Sequence, residues 1–290
     1  MMTTLPKDAS TDTDEKKMEQ EAKALPSRAM ATHEHIRHDG EKELERDAMA
    51  LLWSAIAAGL SMGASMLVKG ILHVHLMGVP AAFLLESLGY TVGFIIVIMA
   101  RQQLFTENTV TAVLPFMHKP TRGNFMLLLR LWSVVLLGNL VGTALAALAF
   151  NFMPVFDEPT RSAFSEMGTA VMGNSPVEMF TKAIVSGWLV ATMVWMLPAA
   201  GSAKILVIVL MTWLIAVADT THIVVGSVEI FYLIFNGEAA WYSFIWPFAL
   251  PTLAGNIIGG TFIFALISHA QIRNDIANER KAQQEKESVD

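Results

Sequence analysis

The chain has no cysteine among its 290 residues, which excludes disulfides, thiolate metal sites and thiol nucleophiles. Charged residues are also scarce, at 16% of the chain, whereas hydrophobic residues make up 53% and the mean hydropathy is +0.47. A soluble domain of this length has no core large enough for so many apolar side chains, so the composition indicates an integral membrane protein. The net charge of -6 comes largely from the two ends and implies no nucleic-acid surface.

A cleavable signal sequence is not expected, because the polar residues 1–47 contain no short apolar stretch followed by a small-residue cleavage site. After them, six apolar segments are long enough to cross a bilayer, near 48–68, 82–117, 125–152, 178–199, 204–235 and 241–269. We therefore predict an all-α membrane protein with a six-helix transmembrane domain at 48–269. The charged ends at 1–47 and 270–290 are expected to be solvated tails, helical or disordered.

The second and fifth apolar segments are too long for a single span, and each has polar residues near its middle. These are Arg101-Gln102-Gln103 and Thr106-Glu107-Asn108 in the second segment, and Asp219-Thr220-Thr221-His222 in the fifth. Such interruptions are tolerated at membrane depth where they are buried in protein or line a cavity, so both helices are predicted to be broken there. The third and sixth segments share a Gly-Asn pattern, at 138–142 and 255–260. These matching positions predict two inverted repeats of three helices each.

Orientation follows from the basic residues of the short loops and flanks. Those on one side of the predicted membrane domain are Lys42, Arg46, Lys119, Arg122, Lys204 and Arg273. The opposite loops carry fewer basic residues for their length, and the loop at 153–177 contains three acidic ones. Because cytoplasmic loops carry the excess of lysine and arginine, both termini are predicted to be cytoplasmic.

In order along the chain, these motifs resemble those of the formate/nitrite transporter family, over nearly all of residues 45–270. The matching residues are Leu104-Phe105-Thr106, the Gly-Asn pattern at 138–142, Lys182, Trp188-Leu189-Val190, Val194-Trp195-Met196, His222 and the second Gly-Asn pattern at 255–260. The resemblance implies an aquaporin-like fold, a homopentamer with one pore through each protomer, a place in a bacterial inner membrane, and a small anion such as formate or nitrite as substrate. The paired Asn-Pro-Ala boxes of aquaporins are missing, since the chain has no Asn-Pro dipeptide.

The candidate pore residues lie at the two breaks. An anion meets a high barrier at an apolar constriction, whereas its neutral acid meets a much lower one. Leu104 and Phe105 are candidates for that constriction, and Thr106 could add a hydroxyl. His222 could donate a hydrogen bond or a proton there. The alternative for this histidine is a core residue satisfied by a neighbour.

Three further candidates lie towards the outer end of the pore. Lys182, near the outer end of the fourth helix, could concentrate anions in an outer vestibule, although snorkelling to the interface explains it equally well. Tyr90 and Phe94 lie four residues apart and could form an outer slit. For these two aromatic residues, packing between helices is the alternative that we favour.

Other residues are candidates for supporting the pore or setting its selectivity. Asn139 and Asn256 occupy equivalent repeat positions, and we expect both amides to hold the broken segments in place. Arg101, Glu107, Asp219 and Thr221 at the breaks are candidates for selectivity. Of these, Arg101, Glu107 and Thr221 depart from the family pattern, as do Gly226 after the second break and Gly187 in the fourth helix. Arg101 and Glu107 are expected to pair with each other or with Asp219. These departures leave the identity of the substrate open.

No metal or cofactor is expected. His33, His35 and His38 lie in a charged tail, and His73 and His75 lie on an outer loop, so all five are interpreted as solvated. An intramembrane enzyme has no support, because no paired-histidine helix or serine–histidine pairing occurs within one span. Two functions therefore remain, a channel or proton-linked transporter for a small monovalent weak-acid anion, and a non-conducting structural or regulatory membrane protein.

Overall fold

The computed structural model describes residues 28–287, and every regular element in that range is a helix. Short 3-10 turns at Leu197–Ala199 and Gly201–Ala203 join two of the helices. Another helix lies between a kinked stretch at Phe244–Ala249, in which the backbone of Trp246 is extended, and a π-helical stretch at Ile258–Ala265. The α-helices are α1 (Arg28–Glu45), α2 (Ala48–His75), α3 (Ala82–Met99), α4 (Phe105–Thr111), α5 (Val113–His118), α6 (Arg122–Phe152), α7 (Glu158–Met172), α8 (Pro176–Met196), α9 (Lys204–Val217), α10 (Ile223–Phe235), α11 (Leu250–Ile257) and α12 (Leu266–Glu287).

Within the described range, five helical stretches are long and apolar enough to cross a membrane. They are Ala48–His75, Ala82–Met99, Arg122–Phe152, Pro176–Ala199 and Phe244–Asp275. Two shorter apolar helices, Gly201–Val217 and Ile223–Phe235, occupy the fifth of the six predicted segments. That segment is therefore two helices, separated by the polar residues around Asp219.

Both helix breaks have the same backbone geometry. Arg101 lies between α3 and α4 with φ 52°, and Asp219 lies between α9 and α10 with φ 48°, so both adopt the left-handed conformation. This conformation is unfavourable for residues other than glycine, aspartate and asparagine, so surrounding contacts must hold it. The backbone amides that follow, of Gln102 and Thr220, donate to carbonyls five residues earlier, at 2.9 and 3.2 Å. Each break is thus a defined turn rather than a loose loop.

Residues 28–45, expected to be part of a solvated tail, form a helix that packs against the membrane domain. Along α1, the apolar residues Met30, Ile36 and Leu44 share one face and are buried. Gly40 lies on that face, and a Cβ atom there would come within 1.9 Å of the Thr111 carbonyl oxygen of α4. The expectation is wrong for this segment, because a narrow apolar face is hidden among many charged residues. The rest of the tail, residues 1–27, lies outside the described residues.

The C-terminal end of α1 is held by a cation from another helix. The Arg130 guanidinium of α6 donates to the carbonyl oxygens of Leu44 and Arg46, at 2.9 and 2.8 Å. The last carbonyls of a helix lack partners within it, and a guanidinium satisfies them and interacts favourably with the helix dipole. Arg130 therefore fixes where α1 ends relative to the membrane domain.

The predicted outer loop at 153–177 contains a helix, α7. Asp157 caps its N-terminus by accepting a hydrogen bond from the Thr160 backbone amide at 3.1 Å, and this contact with Thr160 lowers the pKa of Asp157. Phe164 and Met167 on α7 are buried against α2 and α10, and the Phe164 ring lies 5.5 Å from the ring of Tyr232. This helix covers one end of the domain opposite α1.

Candidate functional site

The two breaks meet in the interior at a contact between Thr106 and His222. Thr106 Oγ1, in the first turn of α4, lies 2.9 Å from His222 Nε2, at the N-cap of α10. The Phe94 ring of α3 lies edge-on to the imidazole, with 5.3 Å between the ring centroids. All three side chains are buried, and His222 is 2% exposed. We call this group, together with Leu104, the waist.

Both imidazole nitrogens of His222 are engaged. Nδ1 accepts a hydrogen bond from the Val225 backbone amide at 3.3 Å and so caps α10. The ring hydrogen is therefore assigned to Nε2, which donates to Thr106 Oγ1. Among the described residues, no other group bonds that oxygen, so the Thr106 hydroxyl hydrogen remains free to be donated to a molecule at the waist.

Asn139 of α6 holds the backbone where the first break leads into α4. Its Oδ1 accepts a hydrogen bond from the Phe105 amide at 2.9 Å, and its Nδ2 donates to the carbonyls of Gln103 and Ala55 at 2.8 and 2.9 Å. The first amides of a helix have no partner within it, and in a membrane interior water does not supply one. The buried amide therefore completes the N-terminus of α4.

Asn256 of α11 makes the matching contacts at the second break. Its Oδ1 accepts from the Ile223 amide at 2.9 Å, and its Nδ2 lies 3.4 Å from the Thr221 carbonyl and 2.9 Å from that of Ala183. The carbonyl of Thr221 also accepts from the Ser186 hydroxyl at 2.5 Å. The two asparagines thus perform the same structural task, one at each break.

A cavity of about 440 Å³ lies on the α1 side of the waist, and we call it the proximal cavity. Neither Phe94, Leu104 nor Thr106 lines it. Most of its lining residues come from α1, from the first break and from α4, and others come from α3, α8, the turn after α8, and α9. The titratable side chains among them are His35, Asp39, Lys42, Glu43, Arg101, Glu107 and Lys204.

A second cavity, of about 350 Å³, lies on the opposite side of the waist, and we call it the distal cavity. Its lining comes from α2, α3, α7, α10 and the second break. The titratable side chains among them are Lys69, His73, Glu86, Tyr90, Glu166, Asp219, His222 and Glu229. Within the described part of the chain, no three histidine or acidic residues are grouped as metal ligands would be.

The charged residues at the two breaks do not form the ion pairs that were predicted from the sequence. Arg101 and Glu107 line the proximal cavity, whereas Asp219 lines the distal one. Among the ion pairs of residues 28–287, none joins Arg101 to Glu107 or to Asp219, and Asp219 instead pairs with Lys182, at 2.6 Å. The expected pairing with Asp219 is wrong because the two breaks open towards opposite ends of the molecule. The expected pairing of Arg101 with Glu107 is also wrong, since the two side chains line the same cavity without forming an ion pair.

The ammonium group of Lys182 is held by neighbours. Besides the Asp219 carboxylate, it donates to Asn174 Oδ1 at 2.7 Å. Lys182 does not line the distal cavity, whereas Lys69 does. The lysine that faces the cavity is therefore Lys69, which belongs to none of the sequence motifs.

The aromatic and apolar candidates divide between the waist and the packing around it. Tyr90 lines the distal cavity, and its ring lies 5.5 Å from that of Phe94, which belongs to the waist. The Phe105 ring packs edge-on against Trp132 of α6 at 5.8 Å, while its amide bonds Asn139. Leu104 is buried and directly precedes α4.

Two histidines that were predicted to be solvated make specific contacts instead. His33 is buried, with Nε2 3.2 Å from Nδ1 of His269 in α12. His73 Nδ1 lies 2.8 Å from the Glu86 carboxylate, and its Nε2 lies 3.4 Å from that of Glu166. The expectation of solvated imidazoles is wrong for these two residues, because their partners are distant in sequence.

Glu229 is the cavity residue that the sequence could have revealed. It lies seven positions after His222, which places both on one face of α10 and about 10 Å apart along the helix. A charged residue inside an otherwise apolar membrane-domain helix is by default a functional candidate. An acidic residue inside an apolar segment is as clear a signal at Glu229 as it is at Glu107.

A helical chain with membrane-length helices, two broken helices that meet at a buried polar contact, and a cavity on each side of that contact has the architecture of a membrane channel or transporter. Comparison with known proteins gives the family. The family model described as formate/nitrite transporter matches residues 30–270, and the chain belongs to this family.

Individual relatives agree with this assignment. The chain is 75% identical over 268 residues to the inner membrane protein YfdC of Escherichia coli (strain K12), covering 92% of this chain and 86% of that protein. It shares its fold with a solved pentameric formate channel with formate bound, at TM-score 0.68 and 20% identity over 78% of this chain and 97% of that one. An FNT family ion channel gives TM-score 0.72 and 20% identity over 82% and 97% of the two chains.

Proposed function

We propose that the chain is a multi-pass bacterial inner-membrane protein that acts as a channel or proton-linked transporter for a small monovalent weak-acid anion, of the formate and nitrite class. The observation that carries the proposal is the waist, where Thr106 and His222 supply one polar contact between two cavities. Membership of the formate/nitrite transporter family supports the class of activity. The names of the relatives support the membrane and the substrate class.

The proposed topology has six crossings in two inverted repeats of three helices, within a domain at 48–269. In this arrangement, α9 and α10 together form the fifth crossing, as α3 to α5 form the second. The matching contacts of Asn139 and Asn256, and the matching left-handed residues Arg101 and Asp219, support the repeat. With both termini cytoplasmic, as the basic loops favour, the proximal cavity faces the cytoplasm and the distal cavity faces outwards.

The proposed assembly is a homopentamer. Large apolar side chains are exposed along the membrane-length helices, among them Trp53, Leu137 and Phe152. In a membrane protein such surfaces face lipid or neighbouring subunits. The description of a structural neighbour as a pentameric channel favours five subunits.

The waist suits a neutral acid better than an anion. An anion that leaves water for this buried site would lose its hydration for a single hydroxyl donor, whereas the neutral acid has little hydration energy to lose. The free hydrogen of the Thr106 hydroxyl could bond an oxygen of the passing acid. His222 positions that hydroxyl by donating to it.

A stopped-flow flux panel in proteoliposomes tests the proposal. Formate, nitrite, hydrosulfide and acetate are offered at several pH values to the full chain and to Thr106→Val, which removes the hydroxyl at nearly constant volume. Thr192→Val is the matched control, since Thr192 lines neither cavity. We expect flux of at least one anion, rising as pH falls, with a loss only in Thr106→Val. Absence of flux for the whole panel would favour the non-conducting alternative.

A further inference from the structure

Glu229 is a buried carboxyl group without a partner. It is 6% exposed and lines the distal cavity. Among residues 28–287, no side chain or backbone group bonds it, and no cation forms an ion pair with it. Its place on α10, two turns from the N-cap, puts it on the route between the outer end of the cavity and His222. Burying a carboxyl group without a partner costs free energy, so a group retained in this state is a candidate for a function.

The other acidic side chains of the distal cavity are all engaged. Glu86 and Glu166 both contact His73, at 2.8 and 3.4 Å. Asp219 pairs with Lys182 at 2.6 Å. Within the described residues, this leaves Glu229 as the carboxyl group and Lys69 as the lysine that face the same cavity without partners.

We propose that the distal cavity is the site where the substrate anion is loaded with a proton, with Lys69 attracting the anion and Glu229 protonating it before it reaches the waist. The proposal rests on the proposed function and assigns two further residues to it. In the step, the O–H bond of the Glu229 carboxylic acid breaks and an O–H bond forms on the substrate carboxylate. The Glu229 carboxylate then regains a proton from the outer solution.

A carboxyl group is a better proton donor to a small carboxylate than the other titratable side chains of the cavity are. A glutamic acid has a proton affinity close to that of a small carboxylic acid, with reference pKa values of about 4 for both kinds of group. Transfer between them therefore needs little driving force, whereas lysine and tyrosine, with reference values of about 10, hold their protons too tightly. His222 is a poor donor in this arrangement, because Nδ1 caps α10 and the Nε2 hydrogen is bonded to Thr106.

The groups around Glu229 set the pH range of the step. Those that face the distal cavity from the packed elements are Lys69 and His73 of α2, Glu86 and Tyr90 of α3, Glu166 of α7, and Asp219 of the second break. Within residues 28–287, Lys69 alone adds a free positive charge to this cavity, and that charge attracts the anion and stabilises the carboxylate left after transfer. A positive charge and a proton donor that line the same cavity are the arrangement that loading requires.

Formate uptake into proteoliposomes tests the step through its pH profile. Glu229→Gln removes the proton but keeps the shape, and Glu158→Gln, at the exposed start of α7 and outside both cavities, is the matched control. We expect Glu229→Gln to reduce uptake about tenfold or more near neutral pH, and progressively less in acid, where the solution itself supplies the neutral acid. Glu158→Gln keeps the normal profile. An unchanged profile, an equal loss at every pH, or a faster flux in Glu229→Gln would overturn the proposal.

Infrared difference spectroscopy of the reconstituted full chain provides a readout that does not depend on flux. Formate should remove a protonated-carboxyl band from the wild type and from Glu158→Gln, and Glu229→Gln should lack this change. Lys69→Met should weaken the formate dependence of the band and leave the band itself in place. If Glu229→Gln does not assemble, Glu229→Asp, which keeps the acid, should restore assembly and part of the uptake. A formate-independent band in the wild type overturns the loading step, whereas a formate-dependent band without any flux overturns the proposed function alone.

Discussion

The Nε2 atom of His222 lies 2.9 Å from the Oγ1 atom of Thr106, and this contact joins the two broken helices of the chain. His222 also caps the N-terminus of α10 through Nδ1, so one side chain both caps the start of a helix and orients a hydroxyl. A substitution at this position acts on the fold and on permeation together. Its effects must therefore be separated by showing first that each variant assembles.

We expect His222→Asn and His222→Phe to differ sharply. Asparagine is a good N-cap and keeps a hydrogen-bond donor, so some flux should remain in His222→Asn, with a pH profile close to that of the unmodified protein because the imidazole is held neutral. Phenylalanine has neither property and should nearly abolish flux. The measurement is weak-acid anion flux in proteoliposomes at several pH values. If His222→Phe conducts at the unmodified rate and profile, Arg101 and Glu107 become the better candidates for selectivity.

The Lys182–Asp219 pair should contribute little to stability. The side chains are 28% and 78% exposed, and such pairs stabilise by about 1 kcal/mol or less. Asp219→Asn should be tolerated, because asparagine also adopts the left-handed conformation found at 219. A double-mutant cycle with Lys182→Met, followed by unfolding in detergent, measures the coupling. A coupling energy of several kcal/mol would show that solvent does not screen the pair.

Asn256→Ala should be strongly destabilising. It leaves the buried Ile223 amide without its partner, at a cost of about 1–3 kcal/mol, and it removes one of the donors to the Thr221 and Ala183 carbonyls. Asn236→Ala, at the exposed end of α10, is the control and should change stability by about 0.5 kcal/mol or less. Thermal unfolding of the purified oligomer compares the two variants. Equal melting temperatures would mean that the break is held by other contacts.

Gly40→Ala should weaken the attachment of α1. In an exposed helix this change stabilises by about 1 kcal/mol, but here the new Cβ atom would come within 1.9 Å of the Thr111 carbonyl oxygen. At this position we therefore expect the substitution to destabilise the docked helix instead of stabilising it. Amide hydrogen exchange in α1 measures it, with the exposed Glu45→Ala of the same helix as the control. Unchanged or slower exchange in Gly40→Ala would contradict the packing of α1 against α4.

The stability of α1 should also decrease in acid, through interactions within the helix. The hydrogen bond from His33 and the ion pair with Arg37 lower the pKa of Glu34 from 4.5 to about 2 against the effect of burial. A lowered pKa stabilises the folded state above about pH 4.5, and this contribution is lost as pH falls towards 2. Glu34 is 40% exposed, so the contribution stays below about 1 kcal/mol. The difference in melting temperature between wild type and Glu34→Gln should disappear across that range, and a constant difference would refute the assignment.

The helix breaks could be predicted because a charged run inside an apolar segment has few physical explanations. The two asparagines could be predicted for the same reason, since a buried amide in a membrane helix must find partners. Both inferences depend on local sequence and on the absence of water. They needed no knowledge of which helices pack together.

The partners of charged side chains could not be predicted in this way. Lys182 and Asp219 are 37 residues apart, and only the packing of α8 beside the second break brings them together. The docking of α1 was missed because its apolar face is short and its composition is that of a solvated helix. His33 is buried because α12 supplies His269 from 236 residues away.

The contact between Thr106 and His222 has a consequence for biosynthesis, because the two residues are 116 positions apart. The ribosome delivers Thr106 to the bilayer long before it has made His222, and Asn256 follows later still. A partly synthesised chain thus has neither the second bracing amide nor the imidazole that orients the hydroxyl. The contacts that hold the waist together are therefore complete only when the last helices have inserted.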